Sequence, residues 1–352
     1  MIQVRDIRSM TIQELKDVME NMGEKSFKAG QIFDWLHKKT VSGYEEMTNL
    51  SKALREKLQR DYPLYELEVL EVQTSKLDGT KKFLFRLKDG HVIESVWMQY
   101  QHGNSVCISS QVGCRMGCRF CASTIGGLTR NLTAAEMLMQ IYRIQKLTKE
   151  RVSHVVVMGT GEPLDNYDEL LKFLNILTDE KGLHISQRNI TVSTCGIVPK
   201  IYELADEKLQ ITLAISLHAP NDEKRKELMP VANRYSIPEL LTACRYYFEQ
   251  TGRRLTFEYS LVSQKNDSQQ DADELAARIK GLNCHVNLIP VNPIKERNYV
   301  QSDKKDVEKF KNKLEKYGIN VTIRREMGRD IDGACGQLRK SYLDQNEKEC
   351  EE

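Results

Sequence analysis

From Val106 onward the chain alternates short apolar runs with amphipathic stretches, and nothing else in it restricts the fold so strongly. The runs Val106–Ser109, His154–Met158, Asn189–Ser193, Gln210–Ser216, Thr256–Val262, His285–Pro290 and Asn320–Arg324 read as buried strands. Helical patterns separate them. The clearest starts at Thr133, boxed by Glu136, and carries Met137, Ile141 and Ile144 on one face. Repeated strand–helix units predict an α/β fold with a parallel sheet, closed or partly closed as a barrel. Such folds place their chemistry at the C-terminal strand ends. The unusual residues obey this rule. A cysteine loop follows the first strand and Gly159-Thr-Gly-Glu-Pro163 the second. Ser193 ends the third strand, Ser216-Leu-His218 the fourth, and Asn292 follows the sixth.

The stretch before about residue 90 is patterned differently. Thr11 and Glu14 form a capping box, after which Ile12, Leu15, Val18 and Met19 share a helical face. A second helix is expected after Ser26, with Phe27, Ile32, Trp35 and Leu36 apolar and Lys25, Lys28, His37, Lys38 and Lys39 polar; a third spans Ser51 to Gln59. Those lysines by themselves describe a solvated face. Phe83, Phe85 and Leu87 alternate, Asp89-Gly90 offers a turn, and Val92, Glu94, Val96 and Met98 alternate after it, the signature of a β-hairpin. The expected division is a helical accessory domain over 1–90 ending in this hairpin linker, a core over 91–342 and a charged tail over 343–352.

The cysteine loop holds Cys114, Cys118 and Cys121, spaced C-x3-C-x2-C. Three thiolates can bind three irons of a cubane and leave the fourth iron open to a ligand that is not protein. Structural zinc needs a fourth ligand, commonly in paired sets, and His102 and His154 are not at finger spacing. A disulfide framework fits poorly with nine cysteines, an odd number. Unoxidised thiols and a cluster both point to a reducing cytoplasm. The charged N-terminus shows no secretory signal, and no apolar run has the length of a membrane span. A net charge of +2 announces no nucleic-acid binding, so any such contact must come from local basic patches.

The cysteine motif, with Phe120 before its last member, resembles the radical S-adenosylmethionine (SAM) superfamily. Glycines in Gly159-Thr-Gly-Glu-Pro163 permit close backbone approach, and Gly161 and Glu162 match that superfamily's site for the SAM amino group. Further segments narrow the resemblance: Cys107-Ile-Ser-Ser-Gln-Val-Gly-Cys114, Ala214-Ile-Ser-Leu-His-Ala-Pro-Asn221, Asn287-Leu-Ile-Pro-Val-Asn-Pro293 and Asp330-Ile-Asp-Gly-Ala-Cys-Gly-Gln-Leu338. Together they are similar to the adenine-C2 RNA methyltransferases of the RlmN/Cfr family, over nearly the whole chain. That likeness implies a partial (βα)6-type radical SAM barrel, a 4Fe-4S cluster on Cys114, Cys118 and Cys121, and SAM used twice per turnover. It implies 23S ribosomal RNA as substrate, in some members also transfer RNA. A flavodoxin- or ferredoxin-type reductant, a monomer, no membrane and a cytoplasmic location follow from it too. Thr160 stands where relatives often have methionine, a change read as unimportant.

The resemblance also assigns roles. C2 of adenine is electrophilic, so polar methylation fails there and a radical route is needed. Cys335 is methylated on sulfur, a 5′-deoxyadenosyl radical takes hydrogen from that methyl, and the methylene adds to C2. Cys107 then resolves the adduct and leaves a Cys107–Cys335 disulfide. Glu94 would accept a proton; Ser193, Ser216, Leu217, His218 and Asn292 would contact SAM. Taken alone, these residues allow other readings. Cys107 lies in an apolar strand and reads as a core thiol, whereas Cys335 sits between glycines on a loop. Glu94 is an edge residue or functional, and His218 can be a satisfied core histidine. Cys195, Cys244, Cys284 and Cys350 read as structural or surface thiols. Two other functions stay open: C8 methylation of the same adenine, and a non-catalytic RNA-binding or zinc protein. Intact Pro163 and Ile289-Pro-Val-Asn-Pro293 favour C2 over C8.

Overall fold

The computed structural model describes residues 6–291, 299–331 and 336–351. Three helices open the chain: α1 (Ile12–Asn21), α2 (Lys28–His37) and α3 (Lys52–Asp61). An antiparallel ribbon follows, β1 (Glu68–Thr74), β2 (Lys81–Arg86) and β3 (Val92–Tyr100), then β4 (Gly103–Cys107) and a small hairpin β5 (Gln111–Gly113) with β6 (Leu128–Asn131). Strands and helices then alternate: α4 (Ala134–Thr148), β7 (Val152–Val157), α5 (Tyr167–Thr178), β8 (Ile190–Thr194), α6 (Val198–Asp206), β9 (Thr212–Ser216), α7 (Asp222–Leu228) and α8 (Ile237–Thr251). The series continues through β10 (Leu255–Leu261), α9 (Gln269–Ile279), β11 (Cys284–Pro290), α10 (Lys304–Lys316), β12 (Asn320–Ile323) and α11 (Gln337–Glu351).

One sheet joins ten of these strands in the order β1-β2-β3-β4-β7-β8-β9-β10-β11-β12. Its parallel part runs from β4 through β7 to β12. The ladder ends at β1 and β12, so the barrel is partial. Every strand expected from the apolar runs is present within a few residues. The core behind them is Val106, Val155, Val192, Leu213, Ile215, Phe257 and Leu288, all nearly inaccessible. Thr11 and Thr133 cap α1 and α4, and in each box the glutamate three residues on returns the bond.

The hairpin belongs to the main sheet. β2 pairs with β3 and β3 with β4, so the sheet passes without a break from the ribbon into the parallel strands. Both faces of the ribbon are covered. Phe83 and Phe85 enter the main core, while Leu84 and Val92 pack with Leu338 of α11 on the opposite face. An antiparallel ribbon often leaves one face wet; here a helix more than two hundred residues downstream covers it, and Lys82 is buried as a result.

In α2 two expectations fail. Phe27 caps the helix and is 59 % exposed instead of joining the apolar face. His37, expected to be polar and exposed, is fully buried, and its Nδ1 meets the Tyr142 hydroxyl of α4 at 2.8 Å. Burial holds His37 down at about 3, with Arg8 adding a smaller push. The folded pKa lies below the unfolded 6.5, so above that pH neither state holds the proton and nothing is lost. Below it the unfolded chain takes up a proton that the native state refuses, and stability falls as pH drops toward 3. Between pH 7 and pH 5 this one group should remove about 2 kcal/mol. Urea unfolding of cofactor-free protein should therefore weaken less over that interval in His37→Gln than in wild type, by about that amount.

Candidate active site

The C-terminal ends of the parallel strands surround a cavity of about 450 Å³. Cys114, Cys118 and Cys121 line it, with Cys107, Gly161, Glu162, Ser193, Ser216 and His218. Residues drawn from most of the sequence thus meet on one space, as strand-end chemistry requires.

The β5–β6 hairpin closes the cysteine loop: the Cys114 amide donates to the Gly127 carbonyl at 2.9 Å. The Thr124 hydroxyl donates to the carbonyls of Cys118 and Cys121, at 3.2 and 2.9 Å, and holds the turn between them. Cys114 and Cys118 are buried and Cys121 partly so. Burial pushes the Cys114 thiol up to about 12 and raises Cys118 also. A bound metal reverses that preference, since coordination deprotonates a thiol outright. Among the described residues no three His, Cys, Asp or Glu converge closely enough to grip a single ion. A cubane binds each thiolate through a different iron, so its ligands stand apart around the cluster. Three thiols around one cavity are a donor set that fits a cubane cluster.

The Gly159–Pro163 loop is fastened from both sides. The Glu162 amide donates to Gln111 Oε1 at 2.8 Å, and the Glu162 carboxylate accepts from the amides of Leu164 and Cys195 at 3.0 and 2.7 Å. Burial pushes this carboxyl up against those bonds, which favour the anion. Thr160 has more to do than its sequence suggested. It is buried, its Oγ1 sits 3.3 Å from Ser123 Oγ beside the cysteine loop, and its carbonyl accepts from the amides of Ser110 and Gln111. Gly161 has φ +118°, and a Cβ there would stand 2.6 Å from Ser110 Oγ and 2.8 Å from the Gln111 amide. No L side chain suits that backbone or that space. Gly161→Ala should leave the fold intact by circular dichroism. It should weaken SAM binding by at least about tenfold, roughly 1.4 kcal/mol, in a titration of the cluster-loaded protein.

His218 is both a buried histidine and a cavity wall. Its φ is +54°, its Nδ1 accepts from the Ser260 amide at 2.8 Å, and burial holds it down at about 3. A neutral ring that accepts at Nδ1 carries its proton on Nε2 and can donate from there. Phe120 meets it edge-on, 4.8 Å between ring centres. Leu217 does not line the cavity. Its side chain is in the core, its amide donates to the Glu258 carbonyl at 3.1 Å, and its carbonyl accepts from Arg225 Nε at 3.2 Å. Asn292 and Cys335 lie outside the described residues.

Glu94 is absent from the cavity lining. The residue is buried and its carboxylate faces the start of α11. Two groups went unnoticed in the sequence. Glu258, in mid-strand β10, lines the cavity and accepts from Asn287 Nδ2 at 2.9 Å; burial raises its carboxyl, partly offset by Arg324. A charged residue inside an apolar strand was the available signal. Arg225 is completely buried beneath the cavity and donates to the carbonyls of Cys195, Ser216 and Leu217 at 2.7, 3.3 and 3.2 Å, tying the ends of β8 and β9. In sequence it belongs to a charged stretch that reads as surface. Cys195, read as structural, also borders the cavity beside Cys118. The basic residues separate as well. Arg324 and Arg325 line the cavity, whereas Arg130 is held by Asp89 and Glu136 at 2.6 and 2.8 Å and Arg115 by Asp165. Lys28 pairs with Glu24 at 2.5 Å, and Lys39 lies over the Trp35 ring at 3.5 Å. No helix among the described residues is long and apolar enough to cross a membrane.

Residues 5–62 match the ribosomal RNA large subunit methyltransferase N-terminal domain, and residues 108–279 match the radical SAM superfamily. A probable dual-specificity RNA methyltransferase RlmN of Lachnospira eligens is 66% identical over 339 residues, covering 96% of this chain and 97% of its own. One of the same name from Clostridium novyi is 56% identical over 343 residues, covering 97% of this chain and 100% of its own. The crystal structure of a radical SAM methyltransferase from Sphaerobacter thermophilus superposes with a TM-score of 0.90 at 43% identity, covering 94% of this chain and 98% of that one.

Proposed function

The chain belongs to the RlmN family of radical SAM RNA methyltransferases, and we propose that it methylates C2 of an adenine in 23S ribosomal RNA and of an adenine in transfer RNA, through a methyl carried on Cys335. The observation that carries this reading is the single cavity shared by Cys114, Cys118, Cys121, Cys107 and the Gly159–Pro163 loop. Radical SAM enzymes use a 4Fe-4S cluster with SAM. Cys114, Cys118 and Cys121 would hold that cluster, which when bound supplies the electron that cleaves SAM. Gly161 and Glu162 receive the SAM ammonium, while Ser193, Ser216, His218 and Asn292 orient its ribose and carboxylate. Two SAM molecules serve each turnover, one to methylate the Cys335 sulfur and one for hydrogen abstraction from that methyl.

Cys107 acts last. In register it faces Val96 of β3, a cavity residue, at the end of β4. Its thiolate attacks the Cys335 sulfur, the sulfur–carbon bond breaks, and the electron pair leaves with the carbon attached to the base; that carbon takes up a proton to become the methyl, and the hydrogen it replaces on C2 leaves as a proton. A Cys107–Cys335 disulfide remains, and a thiol reductant reopens it. A flavodoxin- or ferredoxin-type donor fits the need for single electrons, and a monomeric cytoplasmic enzyme fits the reactive thiols. Arg324 and Arg325, which line the cavity, meet RNA phosphate on this reading, so affinity should fall with salt.

The test is anaerobic reconstitution, then incubation with SAM, reductant and protein-free 23S RNA or transfer RNA, followed by nucleoside analysis. The expected product is 2-methyladenosine from both RNAs. 8-Methyladenosine would overturn the regiochemistry, which the relatives' shared name disfavours. No SAM-dependent product would overturn the reading altogether.

A further inference from the structure

Lys82 of β2 and Glu94 of β3 form a buried ion pair, Nζ to Oε1 at 3.3 Å, with side chains 0% and 3% exposed. They share one face of the ribbon. In register Lys82 is opposite Val96, and Val96 is opposite Cys107. The pair therefore stands beside the resolving thiol, on the strand face that lines the cavity farther along at Val96, Met98 and Tyr100. Its remaining partners come from the far end of the chain. The Glu94 carboxylate accepts from the Gly336 amide through Oε1 and from the Arg339 amide at 3.1 Å through Oε2. These amides belong to the start of α11, where an anion is also favoured by the helix dipole. Arg339 Nε donates to the Val92 carbonyl at 2.8 Å and locks the same turn to β3.

Gly336 is pressed from the other side as well. Its φ is +81°, and a Cβ there would stand 2.7 Å from the Ser123 amide, directly after the cluster loop. Gly336 is bonded to Cys335. The residue after the methyl carrier is thus fixed between the cluster loop and a buried carboxylate, and that carboxylate is neutralised by a buried ammonium.

We infer that Lys82 and Glu94 are positioning residues that fix Gly336 and, through it, the backbone that leads into Cys335. This rests on the reading of Cys335 as methyl carrier. A proton acceptor has to reach the substrate. The Glu94 carboxylate instead meets an ammonium and two backbone amides and does not line the cavity. The step it serves is the first methylation. There the Cys335 sulfur bonds the methyl carbon, the methyl–sulfonium bond of SAM breaks, S-adenosylhomocysteine leaves, and the thiol proton goes to solvent. That displacement demands alignment, and a ~1 Å misplacement costs about 100-fold in rate.

The experiment measures methyl incorporation into Cys335 by peptide mass, with the cluster's electron paramagnetic resonance spectrum, with and without SAM, as a control for the site. Reconstituted wild type, Glu94→Gln, Lys82→Met, Lys82→Arg and the Lys82→Met/Glu94→Gln double variant are compared. Each single charge removal breaks the pair and leaves its other member buried; the double variant removes both charges and keeps the test usable if a single variant fails to fold. Glu94→Gln, Lys82→Met and the double variant are expected to keep the wild-type spectrum with SAM and to methylate Cys335 about 100-fold more slowly. Lys82→Arg, which keeps the charge, should recover most of the rate. Wild-type methylation of Cys335 in the double variant, with a block only at RNA release, would overturn the positioning role in favour of proton transfer. A wild-type enzyme that never gains a methyl on Cys335 would instead overturn the reading on which the inference rests.

Discussion

Cys107→Ala is expected to purify with RNA covalently attached, whereas Cys335→Ala carries none; both make no product. The order of the two sulfurs dictates this difference. On the proposed route Cys335 bears the methyl, so without it no carbon is delivered to the base. On that route Cys107 is needed only once carbon already bridges sulfur and C2, and without it no thiolate attacks the bridging sulfur. The position of Cys107 supports such a role: it is buried, at the end of β4, and faces the cavity that holds the three motif cysteines. As a packing residue alone it would predict a modest loss, about 1 kcal/mol for so small a side chain, with turnover retained. Denaturing electrophoresis before and after ribonuclease separates the outcomes. An active, RNA-free Cys107→Ala protein would exclude the resolving role.

The second large effect concerns Cys118. Cys118→Ala should abolish reductive SAM cleavage, with 5′-deoxyadenosine at background, because an iron that loses its thiolate leaves the cubane open to loss. The fold should survive. Cys118 packs in a small satellite cluster with Cys195, Leu228 and Met229, outside the main core, so the truncation leaves the sheet untouched. Chromatography of cleaved SAM reports the chemistry, and far-ultraviolet circular dichroism reports the fold. Wild-type 5′-deoxyadenosine from this variant would show that the site assignment is wrong. Cys244→Ala is the contrast: that thiol lies within the main core, away from the cavity, and its loss should lower stability without touching SAM cleavage.

Sequence was most informative where a feature depends on near neighbours. The capping boxes at Thr11 and Thr133 involve residues three apart, and both are formed. The apolar runs place each parallel strand within a few residues, because a strand buried on both sides must be apolar throughout. The cysteine spacing points to a cluster loop because one short stretch carries all three thiols. Together with the Gly159–Pro163 loop, this brought the radical SAM superfamily into view, and the segments at 107–114, 214–221, 287–293 and 330–338 narrowed it to the family.

Tertiary structure decided what depends on residues far apart in the chain. His37 looks like a surface residue in its own helix and is buried only because Tyr142 of α4 packs over it. Lys82 and Leu84 alternate as an outer face should, yet α11 covers them. Arg225 sits in a charged stretch and still threads beneath the cavity to tie two strand ends. Arg130 has the composition of an RNA contact, but Asp89 and Glu136 already hold it. Glu94 shows the limit most clearly. Its place in a β alternation marked it as exceptional, but its partner Gly336 is 242 residues away. Periodicity reports how a residue is oriented on its own element. The partner it meets is set by how the chain folds back, and in Glu94 that return brings an exceptional acid onto the amides of Gly336 and Arg339.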